Sequence, residues 1–215
     1  MTNYFEEFSE NIPTIKTLAQ SGGVNGFFAQ EALRFYTIAG TLLKFDGFKL
    51  DEKATNDERY ITHVLMRSLL ENFFTIVYLF DNPAETQTRY EALKNSFKDD
   101  YRKLMSDLAE PEWKKFMQCY QTQLEPANSA WSIGNKLPNV HDMLTAVKSD
   151  CGDHLYPMYR ITSFDIHGRS LGTIFQDVFG KQCNFPVLKI REAFELISKH
   201  YLIVLNDLRN QGVLA

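Results

Sequence analysis

Cysteine is scarce in this sequence: there are three, Cys119, Cys151 and Cys183, far apart and odd in number. That pattern supplies neither a disulfide framework nor paired Cys-x-x-Cys zinc ligands, and it suits a reducing cytoplasm. An excess of positive charge is also absent. Lysine and arginine total 23 against 27 aspartate and glutamate, a formal net charge of −4. No global basic field therefore gathers phosphate backbones, and DNA is not an expected partner. The first eleven residues carry Glu6, Glu7 and Glu10 where a secretion signal needs a basic start and an apolar run. The most apolar stretch, Val64 to Phe80, is interrupted by Arg67, Glu71 and Asn72, whereas a membrane span takes about 20 nearly uncharged residues. It reads as a core helix, with no membrane expected. Phosphate-binding loops, a nucleophile elbow and His-Glu-x-x-His are missing too. Gly22-Gly23-Val24-Asn25-Gly26 follows a helical segment and lacks the lysine of a phosphate loop, so it reads as a turn. Cys151-x-x-His154 has no second ligand pair within reach in the sequence. Neither a metal nor a cofactor is expected.

What is present is apolar periodicity. Hydrophobic residues make up 44% of the chain, with 17 Phe and 10 Tyr spread along it, and 215 residues fit a single domain, 1–215. Phe5, Phe8, Ile12, Ile15 and Leu18 share one helical face, as do Phe28, Ala32, Phe35, Ile38, Leu42 and Phe45. Gly22 and Gly23 mark the first junction and Gly47 the second. A third helix opens near Asn56 or Asp57 and ends at Asp81-Asn82-Pro83. A polar segment from Ala84 to Glu110 carries the stripe Tyr90, Leu93, Phe97, Tyr101, Leu104 and Leu108, as on the outside of a bundle. Pro111 starts the next helix, to Leu124, and Pro126 to Pro138 is the longest loop. Shorter helices follow: Asn139 or Asp142 to Lys148, one with Pro157 in its first turn that ends at Gly168, and Leu171 to Phe179. The last runs from Val187 to Asn210. No segment alternates at period two. The expected fold is an all-α, single-domain bundle of about seven to nine helices.

Polar stripes interrupt two of these helices. His63, Arg67 and Glu71 stand at i, i+4 and i+8, one above another, on a helix otherwise apolar on most sides. Tyr159, Ser163 and His167 repeat that spacing, with Arg160 beside Tyr159. If the helices pack face to face, His63, Arg67, Glu71, Tyr159, Ser163 and His167 form one polar cluster that either binds a ligand or fixes helix register. His141 and His200 stand alone and carry no chemistry.

The combination Arg67-Ser68-x-x-Glu71 with Tyr78-Leu79, and later Tyr159-Arg160-x-x-Ser163-x-x-x-His167-Gly168, resembles a broad family of bacterial helical proteins of undefined function. The likeness covers residues 57–80 and 137–168. A wider resemblance is to the HEPN superfamily, helical bundles that include many metal-independent ribonucleases of toxin and antiviral systems. Their motif is an Arg followed, after four to six residues, by a His on the same helix. Arg160 and His167 fit it, and their separation of almost two turns puts them on one side. The position after the Arg, usually polar in that superfamily, is Ile161 here. The resemblance implies that His167 acts as general acid or base on a ribose hydroxyl or leaving oxygen while Arg160 holds the phosphate. RNA would then be the partner. A homodimer remains open.

Overall fold

The computed structural model describes residues 3–44, 49–51, 53–147, 152–181, 183 and 188–214. Phe45, Gly47, Lys148, Cys151 and Val187, each singled out above, lie outside the described residues. Among the described residues the regular structure is all helical: α1 Tyr4–Glu10, α2 Ile12–Leu18, α3 Gly23–Lys44, α4 Asn56–Phe80, α5 Thr86–Asp107, α6 Lys114–Tyr120, α7 Val140–Ala146, α8 Gly152–Ile166, α9 Leu171–Phe179 and α10 Ile190–Asn210.

Ten α-helices among the described residues exceed the expected count of about seven to nine because the first stripe is cut in two. At Asn11 the backbone amide bonds back to Phe8 and Ser9, and Pro13 occupies the first turn of α2. Asn11 itself keeps helical dihedrals, so the apolar spacing runs through the break without a visible step. Between α5 and α7 the expected helix to Leu124 shrinks to α6, flanked by short 3-10 turns at Pro111–Trp113 and Gln121–Gln123. Pro157 also departs from expectation. It lies inside α8, which starts at Gly152, and not in its first turn.

α4 is the central element, packed against α3, α5, α7, α8, α9 and α10. A capping box starts it: the Thr55 hydroxyl accepts from the Glu58 amide at 3.2 Å, and the Glu58 carboxylate accepts from the Thr55 amide at 2.6 Å. The cap is thus Thr55, ahead of Asn56 and Asp57. Met66, Leu69, Leu70, Phe73, Phe74, Ile76 and Val77 are all buried, which places apolar surface around most of the helix.

α10 offers a second apolar face at three- and four-residue spacing, Ala193, Phe194, Ile197, Tyr201, Leu205 and Leu208. Tyr201 is its centre, with its ring 5.4 Å from Phe35, 5.8 Å from Phe28, 5.9 Å from Phe8 and 6.0 Å from Phe73. Complete burial pushes its phenol far above the ordinary range.

α5 lies outermost and buries only Arg89 and Asp99. Asp99 is held by Lys136, Lys103 and Arg102, which keep its carboxyl well below the usual range. Together with the bond from the Leu137 amide to the Ser96 hydroxyl, Lys136 fastens the end of the long loop to α5. Among the described residues no helix is long and apolar enough to cross a membrane.

Candidate functional site

The helices bearing the two stripes are direct neighbours. They run antiparallel, since Arg67 meets Tyr159 while His63, one turn earlier on α4, meets Asp165 further along α8. Arg67 lays its guanidinium over the Tyr159 ring at 3.3 Å and donates to the Tyr159 carbonyl at 2.8 Å. Its other nitrogens reach Glu71 at 2.8 and 3.1 Å, and the Tyr159 hydroxyl lies 3.4 Å from the same carboxylate oxygen. Partial burial, with the Glu71 carboxylate adding to it against the pull of Arg67, raises the Tyr159 phenol above its ordinary range.

Arg67, Glu71 and Tyr159 therefore come together, but at the edge of the bundle. The Arg67 side chain is 11% exposed and that of Glu71 50%. Replacing Glu71 by Ala is expected to cost about 1 kcal/mol or less, because a half-exposed carboxylate interacts through water. Arg67→Ala should cost more, about 1–3 kcal/mol, through the lost ring contact and the carbonyl left without its charged donor. Urea melts of the two variants compare them.

The remaining stripe residues go elsewhere. Ser163 turns its hydroxyl to the Arg160 carbonyl of its own helix. His167 lies past the end of α8, exposed, and Arg160 is exposed too. The α8 line that faces the bundle is Leu155, Met158, Thr162 and Asp165, not the line through Tyr159, Ser163 and His167.

Asp165 is the residue that stripe spacing missed. It is 3% exposed, and its two oxygens accept from His63 Nδ1 at 2.6 Å and from the Leu171 amide at 2.7 Å. His63 is equally buried, at 3%. A carboxylate only accepts, so Nδ1 carries a proton, and whenever the ring holds a single proton Nε2 is the acceptor. Among the described residues Nε2 has no protein partner. The pair lines a cavity of about 130 Å³, with Arg59 and Tyr60 from α4, Ser170, Gly172 and Thr173 at the start of α9, and Cys183. No family model, curated protein or solved structure matches this chain.

The site rests on its own geometry, and local backbone features explain how it closes. Gly168 leaves α8 at φ +67°, and Ser170 precedes α9 at φ +40°, which folds α9 back so that its first amide meets Asp165. A side chain at Gly172 would come within 3.0 Å of Asn56 Oδ1; glycine there lets the start of α9 approach the start of α4 closely. Ser170 makes no capping bond from its side chain, and its hydroxyl turns to Thr173 instead. The three first-turn amides of α9 have distinct fates. Leu171 N–H goes to Asp165 and Thr173 N–H to the Ser170 carbonyl, while Gly172 N–H has no acceptor among the described residues. One signal for this site was present in the sequence: Asp165 falls on the same helical face as Leu155 and Met158, and an acid at a core position needs a partner. Among the described residues no group of three or more His, Cys, Asp and Glu is placed to hold a metal ion.

Proposed function

We propose that the cavity beside His63 binds a compact ligand bearing an anionic oxygen, of the phosphate or carboxylate class, and that His63 exchanges a proton with it. One observation carries this reading: a buried histidine that lines the cavity has Nδ1 fixed by a buried carboxylate, while Nε2 has no hydrogen-bond partner among the described residues. That arrangement sets the tautomer and orientation of a proton-transfer group. The start of α9 adds a partial positive charge and a spare amide at Gly172, and the cavity volume suits a few heavy atoms. Nitrogen-15 NMR of the histidine ring during titration with inorganic phosphate, and separately with acetate, tests it. The His63 resonances are expected to move saturably with at least one of the two, and His63→Gln should abolish the effect. His63 signals unmoved by either anion at millimolar concentrations overturn the reading.

A second reading, an HEPN-like ribonuclease, draws support from the joint exposure of Arg160 and His167 at a spacing of almost two turns. Under this reading, wild-type protein cleaves single-stranded RNA in the presence of chelator, and Arg160→Ala or His167→Ala lowers the rate at least about a hundredfold without changing the far-ultraviolet helical signal. Cleavage that survives both substitutions defeats it.

A further inference from the structure

We infer that Cys183 is a nucleophile served by His63 and Asp165, and that the cavity accepts the acyl group of a small ester or thioester. This rests on His63 as the proton carrier of that cavity. Cys183 is a free thiol, 6% exposed, on the same wall-lining set as the His63–Asp165 pair. A nucleophile, a base and a group that orients the base are the three parts that covalent acyl transfer needs. The fourth part, a donor for the developing oxyanion, is the Gly172 amide, the first-turn N–H of α9 that has no acceptor among the described residues. Cys119 offers an internal contrast, being exposed and not part of the cavity lining.

In the first step the Cys183 S–H proton passes to His63 Nε2 and Sγ bonds to the carbonyl carbon. The bond from that carbon to the leaving oxygen or sulfur then breaks, and the leaving atom takes the proton from His63. In the second step water attacks the resulting thioester with His63 as base, which releases a carboxylic acid and returns the thiol. Asp165 touches neither substrate nor thiol in this scheme; it is a positioning residue that keeps the proton on Nδ1 and the acceptor lone pair on Nε2. A cavity of about 130 Å³ limits the acyl group to about six heavy atoms or fewer, with the leaving group at the mouth.

Iodoacetamide labelling of the full-length chain, resolved by peptide mass mapping, reads thiol reactivity site by site. 4-Nitrophenyl acetate in parallel reads acyl transfer. Cys183 is expected to alkylate at least about tenfold faster than Cys119 despite its burial, and to carry the acetyl group after brief exposure to the ester. His63→Gln and, as the variant that keeps the hydrogen-bonded shape, Asp165→Asn should each slow Cys183 labelling by at least about tenfold while leaving the Cys119 rate unchanged. The proposal is overturned if Cys183 labels no faster than Cys119 in the wild type, if neither variant slows it, or if Cys183→Ser keeps the full nitrophenolate burst. The His63 NMR titration separates the two ideas. His63 responding to phosphate with Cys183 inert removes the thiol step alone, whereas reactive Cys183 with a silent His63 supports the thiol step and removes the anion ligand.

Discussion

Asp165→Ala is expected to lower stability by about 3–5 kcal/mol, because it leaves two buried donors, His63 Nδ1 and the Leu171 amide, without an acceptor. Against a total stability of about 5–15 kcal/mol for a domain, that loss is severe. Asp165→Asn should behave differently. Its amide oxygen still accepts from Leu171, and its NH₂ donates to His63 Nδ1, so the fold is expected to stay within about 1 kcal/mol of wild type. The same swap moves the ring proton to Nε2 and removes the base from the cavity. Urea melts measure the first effect, and nitrogen-15 shifts of the imidazole measure the second. An Asp165→Ala protein as stable as wild type shows that the pair is not held in the buried geometry described here.

Tyr201→Ala is expected to cost about 3–5 kcal/mol through a large cavity at the crossing of α1, α3, α4 and α10. Tyr201 is 1% exposed and its ring contacts Phe8, Phe28, Phe35 and Phe73, so few neighbours are free to collapse into the space. Tyr201→Phe keeps the ring contacts and should recover most of the loss. Guanidinium melts of the two variants distinguish lost volume from a lost hydroxyl. Equal and small effects would place the core elsewhere than around α10.

Legibility differed sharply between packing and chemistry. The apolar stripe of α10 and the crowded surface of α4 follow from periodicity alone, since a side chain at i, i+3, i+4 and i+7 has only one face of a helix to occupy. The break at Asn11 was hidden because a residue that keeps helical dihedrals does not disturb that period. The start of α4 at Asn56 agrees with the expected opening near Asn56 or Asp57, but the cap was misplaced by one or two residues: Thr55, Asn56 and Asp57 all have capping side chains, and only the reciprocal bond with Glu58 selects Thr55.

By itself the sequence determined the all-helical class, the central apolar α4, the outer α5 and the stacking of Arg67 over Glu71, because each depends on spacing within one helix; that Tyr159 joins them was expected only if the two helices packed face to face. Only the tertiary structure decided that His63 belongs to Asp165 and not to the Arg67 stripe, and that Cys183 and the start of α9 share its cavity. Those groups come from four separate parts of the chain, and their meeting depends on the left-handed turn at Ser170 and the absent side chain at Gly172. Neither a left-handed backbone at one residue nor a missing side chain at another is a property that a hydrophobic period encodes.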